Sequence, residues 1–185
     1  MKYTTHSQQE TINLGKKISP TLRRGDVVCL YGELGAGKTT LVKGIAEGLG
    51  VKEDIKSPTF TLMNVYDCHS RESGNLGRPP LNDMDPRLSP PQRDPALWRW
   101  RGDDIVAHPL KFVHIDTYRL KNAEELVEIG AEDYLGQADT MCVVEWPEKI
   151  EDILRGKNLV KIMMEHGEGN ERRITKIKTS SPNSQ

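Results

Sequence analysis

A chain of 185 residues can hold one α/β domain with a real core but not two large ones. Lys plus Arg number 26 against 27 for Asp plus Glu, a formal charge of −1. No broad basic field therefore supports autonomous binding to DNA or RNA, and any contact with RNA is expected through a partner. Cys29, Cys68 and Cys142 have no Cys-x-x-Cys spacing, the N-terminus lacks the apolar run of a signal peptide, and no apolar run reaches membrane-spanning length. A soluble cytoplasmic protein is expected, with Cys29 and Cys142 as small, reduced core residues.

In chain order, Ser7 followed by Glu10 is a capping-box pattern. Leu14, Ile18 and Leu22 then recur every four residues, which predicts a first helix whose end is blurred by Pro20. Asp26-Val-Val-Cys-Leu-Tyr31 reads as a short buried strand. It leads straight into Gly32-Glu-Leu-Gly-Ala-Gly-Lys-Thr-Thr40, which fits the phosphate-binding loop pattern at Gly32, Gly37, Lys38 and Thr39. Glycines there let successive backbone N–H groups curl around a phosphate chain, Lys38 can reach the outer phosphates, and the Thr39 hydroxyl can ligate Mg²⁺. At ordinary residue frequencies a random chain of this length matches the pattern on the order of once in a hundred times. The context lowers that further, because Leu41, Ile45 and Leu49 fall on one helical face after the loop, with Gly50 as a stop.

Ser57-Pro-Thr-Phe-Thr-Leu62 reads as a proline-marked entry into a strand running to about Tyr66, with Thr59 at its start. From Cys68 to about Pro109 the composition changes abruptly. Prolines stand at 79, 80, 86, 90, 91 and 95 among scattered arginines, with Trp98 and Trp100 as the only aromatics. This reads as an insert with the tryptophans resting on their own domain, and loop-closure entropy makes its length cost only about 1.5 kcal/mol.

Leu110–Asp116 and Met141–Trp146 are apolar runs that end in carboxylates, Asp116 and Glu145. Between them, Asn122 and Glu125 form a second capping-box pattern before a helix expected over 123–135 with an interruption at Gly130. Pro147 suits the first turn of a short helix through Leu154. Two strands, 159–166 and 172–178, are expected to pair across a Gly-Glu-Gly-Asn turn, and 179–185 to form a flexible tail.

The fold expected is a three-layer, P-loop NTPase-like α/β domain. It has a mixed central sheet flanked by helices and a C-terminal antiparallel hairpin, and spans 1–178 with an interruption at about 69–106. In such sheets ligands collect at the carboxyl ends of strands, where the loop, Asp116 and Glu145 all fall. Mg²⁺ takes hard oxygen ligands, so Thr39 with one or both carboxylates suffices as the protein's share. The bland alternative has each carboxylate capping its next turn or pairing with a cation such as Arg119. His114, two residues before Asp116, reads as a packed, hydrogen-bonded histidine rather than a catalytic one. No Asn-Lys-x-Asp motif supports a preference for guanine.

Taken in order, residues 32–40, Ser-Pro-Thr-Phe-Thr-Leu (57–62), His-Ile-Asp-Thr-Tyr-Arg-Leu (114–120), Glu-Glu-Leu-Val-Glu-Ile-Gly (124–130) and Val-Glu-Trp-Pro (144–147) resemble the bacterial TsaE (YjeE) ATPases. The resemblance spans about 7–67 and 110–178. It implies a weak, Mg²⁺-dependent ATPase in synthesis of the threonylcarbamoyladenosine beside the tRNA anticodon, working with TsaD and TsaB. It also implies roles for Lys38, Asp116 and Glu145 in catalysis, and for Thr39, Asp116 and Glu145 at Mg²⁺. ATP would lie against Glu33, Leu34, Gly35, Ala36, Gly37, Lys38, Thr39 and Thr40. Thr59 would sense the nucleotide, Trp146 would lie beside the site, and Gln8 and Gly169 would touch base or ribose. Arg119 would be a candidate transition-state cation. The insert departs from the family, and its 70–77, 84–88 and 101–105 segments resemble peptides encoded by in-frame palindromic repeats. A P-loop small-molecule kinase and a non-hydrolysing nucleotide-gated module remain the alternatives. If the insert is a passenger, replacing 69–106 by a short turn leaves ATP affinity, measured by calorimetry, and the ATPase rate within a few-fold of the full chain.

Overall fold

The computed structural model describes residues 1–68, 110–169 and 171–178. These belong to one compact unit, Met1–His69 with Pro109–Gln185. The insert with Trp98 and Trp100, Asn170 of the hairpin turn, and the 179–185 tail lie outside the described residues.

Seven strands form one sheet: β1 (Lys2–Thr5), β2 (Asp26–Tyr31), β3 (Met63–Cys68), β4 (Leu110–Asp116), β5 (Thr140–Glu145), β6 (Asn158–His166) and β7 (Arg172–Lys178). Their order is β1-β7-β6-β2-β5-β4-β3. The four central strands, β6, β2, β5 and β4, are parallel, and antiparallel strands flank them on both sides. The parallel strands are covered on both faces, which is why β2 and β5 read as continuous apolar runs rather than alternating ones.

Side chains alternate between two cores. Val28, Leu30, Val143 and Ile162 meet α1 (Gln8–Ile18) and α2 (Lys38–Gly48) through Leu14, Ile18, Leu41 and Ile45. On the other face Val27, Cys29, Val113 and Val144 pack under α3 (Glu124–Glu128), α4 (Glu151–Leu154) and the turns around them through Leu126, Leu135, Ile150 and Leu154. All three cysteines are buried and free. Loss of hydration pushes the Cys29 thiol up to about 12 and those of Cys68 and Cys142 to about 11, so thiolate chemistry is suppressed at neutral pH. No helix among the described residues is long and apolar enough to cross a membrane.

The cap expected at Ser7 is present, with its Oγ accepting from Glu10 N at 3.1 Å, while the Glu10 carboxylate accepts from His6 N at 2.8 Å. Glu125 N likewise donates to Asn122 Oδ1. The interruption expected at Gly130 is present: α3 ends at Glu128, Gly130 turns left-handed at φ +74°, and a 3₁₀ turn covers Ala131–Asp133. Three readings are corrected. The first helix ends at Ile18, and Leu22 is buried from extended backbone after a 3₁₀ turn. The strand expected from about Thr59 begins at Met63, because Leu62 N bonds Pro58 O at 2.6 Å and closes 58–62 into a turn. Strand β1 was not expected at all. It pairs with β7 at the sheet's edge.

Helices α1 and α2 approach closely because glycines face each other's backbone. A Cβ at Gly15 would stand 2.6 Å from Leu41 O and 2.7 Å from Ile45 N, and one at Gly44 would collide with Ile12 O. This contact seats the helix that carries Lys38 and Thr39. Gly15→Ala therefore destabilises the fold by about 1–3 kcal/mol through overpacking, read as a lower urea midpoint with unchanged m-value.

Candidate functional site

Strands β2, β5 and β4 end level with one another: Leu30 and Asp116 are both register partners of Glu145. The phosphate-loop sequence leaves β2 at this line, and α2 starts from it. Gly35 and Gly37 adopt φ +78° and +91°, values that favour glycine, and Gly37 is the N-cap of α2. The loop is closed by Ala36 N donating to Glu33 O at 3.2 Å. Glu33, Leu34 and Gly35 are exposed at its tip, Ala36 and Lys38 are buried, and Gly37, Thr39 and Thr40 are half-buried. A helix N-terminus opening from such a loop is an anion site by geometry and dipole.

Lys38 is 5% exposed, and its Nζ donates to Gly32 O at 2.6 Å and Glu33 O at 2.9 Å. It also stands 3.7 Å from the centroid of the Trp146 ring. Burial pulls its pKa below the usual lysine range, and the fields of Glu145, Asp116 and Glu148 work against that. Trp146 sits at φ +61°, which tilts its ring against Tyr118 at 5.1 Å. This backbone is held by Trp146 N bonding Leu30 O at 3.2 Å and by the Thr117 hydroxyl donating to Trp146 O.

The two carboxylates are buried and differently tethered. Glu145 Oε1 accepts from Thr39 Oγ1 at 2.9 Å and meets His114 Nε2 at 2.8 Å. Asp116 Oδ2 accepts from Thr59 Oγ1 at 2.6 Å and from Ser57 Oγ at 3.3 Å, while Oδ1 accepts from Tyr118 N at 3.0 Å. Hydroxyl, ammonium and two carboxylates thus gather at the loop. Among the described residues no cluster of three or more His, Cys, Asp or Glu side chains forms a self-sufficient metal centre. One hydroxyl and two carboxylates suit a hard cation that keeps water and phosphate ligands, as Mg²⁺ does.

The profile of the family described as threonylcarbamoyl adenosine biosynthesis protein TsaE matches residues 5–85 and 103–174. The chain belongs to the TsaE family. A relative from Treponema pallidum, named tRNA threonylcarbamoyladenosine biosynthesis protein TsaE, is 33% identical over 150 residues, covering 81% of each chain. One of the same name from Bacillus subtilis is 32% identical over 176 residues, 95% of this chain and 84% of that protein. The crystal structure of Bacillus subtilis YdiB superposes with a TM-score of 0.59 at 27% identity, covering 97% of this chain and 86% of that one. Profile and solved structure agree with the P-loop-like α/β architecture described above.

Of the residues singled out in the sequence, Lys38, Thr39, Thr59, Asp116, Glu145 and Trp146 are brought together at the loop. Three are not joined to it by hydrogen bonds among the described residues. Gln8 is exposed at the start of α1, Gly169 lies in the hairpin turn with open space around it, and the Arg119 guanidinium lies 4.3 Å over the Phe60 ring. Sequence reading missed Ser57, which shares Asp116 with Thr59, and the i, i+2 hydroxyl pair was its signal. It also missed His166, whose Nε2 lies 3.1 Å from Leu34 O and ties the end of β6 to the loop tip.

Because Glu145 serves two donors in a nearly dry setting, Glu145→Ala strands the Thr39 hydroxyl and the His114 ring. It costs about 1–3 kcal/mol in urea unfolding, and Glu145→Gln, which retains an acceptor oxygen, costs less.

Proposed function

We propose that this protein binds Mg–ATP and hydrolyses it as the ATPase subunit of tRNA threonylcarbamoyladenosine synthesis, acting in the cytoplasm on a TsaD–TsaB complex that contacts the tRNA. The observation that carries this reading is the convergence of Lys38, Thr39, Asp116 and Glu145 on the loop, at strand ends held in register. Membership of the TsaE family and the names of its relatives supply the pathway.

The backbone N–H groups of Glu33 to Thr40 would cradle the phosphates. Lys38 would leave its two loop carbonyls for the outer phosphates, a move favoured because its present partners are neutral dipoles and a polyanion is not. Thr39, Asp116 and Glu145 would hold Mg²⁺, which neutralises charge on the phosphate oxygens. Water adds to the γ-phosphorus as the bond to the ADP oxygen breaks, and its protons pass to phosphate and solvent. Thr59 and Ser57 would report occupancy, because both share the Asp116 oxygen that faces them. The near-neutral charge supports tRNA contact mainly through the partners.

Phosphate release from ATP is expected to be slow alone and to rise at least about tenfold with TsaD and TsaB, with modified tRNA nucleosides appearing in parallel. Lys38→Ala abolishes ATP binding and modification. Glu145→Gln binds ATP without turnover and blocks multi-turnover modification; full modification by that variant would replace hydrolysis with nucleotide-gated binding as the function. No stimulation and no modification by the wild type would sink the assignment, and transfer of the γ-phosphate to an added acceptor would favour a kinase.

A further inference from the structure

His114 is wholly enclosed in β4, and only one of its ring nitrogens is used. Nε2 meets Glu145 Oε1 at 2.8 Å, whereas Nδ1 is buried with no hydrogen-bond partner among the described residues. An ionised carboxylate only accepts, so Nε2 carries the hydrogen, and a buried Nδ1 without a partner is best left as a bare lone pair. A protonated Nδ1 in that place would bury an unsatisfied charged donor, which is far costlier. The ring is therefore a neutral donor with a single polar engagement, the Glu145 carboxylate.

For the fold alone this is a poor choice. An apolar side chain of similar volume would fill the space without an orphaned nitrogen, and buried polar atoms normally find partners. The neighbouring positions Phe112, Val113 and Ile115 are all apolar and fully buried. The cost is accounted for by what the other nitrogen does. Glu145 Oε1 is gripped from α2 by Thr39 and from β4 by His114, and the second oxygen takes neither bond. Of the two donors, the Thr39 hydroxyl is free to turn as a ligand arrives. The enclosed ring is not.

We propose that His114 is the positioning residue of the site: its Nε2–H fixes the Glu145 carboxylate in one orientation, so that Glu145 stays aimed at the loop while Thr39 and Lys38 change partners on nucleotide binding. This rests on the reading of Glu145 as part of an Mg–ATP site. Loss of a hydrogen bond that orients a metal-side carboxylate typically costs roughly 10–100-fold in activity or metal affinity.

The test compares wild type, His114→Leu and His114→Gln. Gln carries an amide N–H that can take the place of Nε2–H, and Leu fills space without a donor. With TsaD and TsaB present, the Leu variant is expected to lose roughly 10–100-fold in kcat. Its affinity for ATP without Mg²⁺, read by calorimetry, stays within about threefold, and Gln restores most of the rate. Equal kcat in Leu and wild type overturns the proposal, as does a Gln variant that folds yet is no better than Leu. A second measurement needs no turnover. The ¹⁵N ring resonances of His114, identified by their loss in the Gln variant, should show Nε2 protonated and Nδ1 bare, and should shift in Glu145→Ala. A bare Nε2, or no shift in that variant, overturns the proposal. If the wild type binds ATP and releases no phosphate under any condition, the ATPase reading falls, and the ring resonances still decide the role of His114.

Discussion

The constraint on which the site depends is the burial of one positive charge. Lys38 is almost wholly buried, yet among the described residues its ammonium bonds no carboxylate directly; its compensation is two loop carbonyls, the face of the Trp146 ring and the field of acids further off. A charge in that position is costly without close, well-oriented partners. The loop supplies them by folding its own carbonyls over the lysine. Under the proposed function the same amine reaches the phosphates of ATP, so it rests in a bound arrangement that a polyanion can better. Everything around it serves that balance: β2 delivers the loop, α2 fixes its exit, and the Gly15 and Gly44 contacts allow α1 to hold α2 close.

Trp146 shows where strain is stored to maintain the arrangement. A tryptophan at φ +61° occupies backbone territory that side chains other than glycine's seldom take, at a cost of about 1–3 kcal/mol. The conformation is over-determined from three sides. Leu30 O receives the Trp146 N–H, the Thr117 hydroxyl holds the Trp146 carbonyl, and Pro147 follows with its fixed φ. The result is a ring laid over Lys38 on the line where β2 and β5 end. Leu62, at the same φ, ends the 58–62 turn on the Asp116 side, its carbonyl accepting from Asp116 N. The two such residues among those described that are not glycine flank the two carboxylates.

Much of this was legible in the sequence because phosphate loops are local. Glycine spacing, Lys38 and Thr39 lie in one stretch, and carboxylates that end apolar runs mark strand ends whatever the order of the strands. What escaped was set by distant partners. Lys2–Thr5 carries no apolar alternation and is a strand only because β7, from the far end of the chain, pairs with it. Ser57–Leu62 has the β-branched and aromatic composition of a strand, but Leu62 N closes on Pro58 O and Leu62 O on Asp116, which turns composition into a loop. The break at Gly130 was itself legible, because a left-handed residue there is easier for glycine, but the turn after it is 3₁₀ rather than a resumed α-helix. His114 was read as a packed, hydrogen-bonded histidine, and it is; that its partner is Glu145, thirty-one positions away, follows only from the β4–β5 register.

The two carboxylates, alike in sequence as the ends of apolar runs, are made unlike by what holds them. Glu145 is tied inward, to a ring enclosed in the core and to the helix that starts at the loop. Asp116 is tied outward, to two hydroxyls and a backbone amide of surface segments, and the residue after Thr59 is Phe60, 82% exposed with Arg119 stacked on it. Under the proposed function a ligand that competes for the Asp116 oxygen would displace Thr59 and Ser57, the neighbours of the exposed Phe60, whereas at Glu145 the His114 contact would stay while Thr39 turns. Under the proposed function the inner acid therefore holds geometry, whereas the outer acid transmits occupancy to whatever protein reads the 57–62 turn. One site thus contains both a fixed reference and a movable contact, and a nucleotide-driven signal to a partner needs the difference between them.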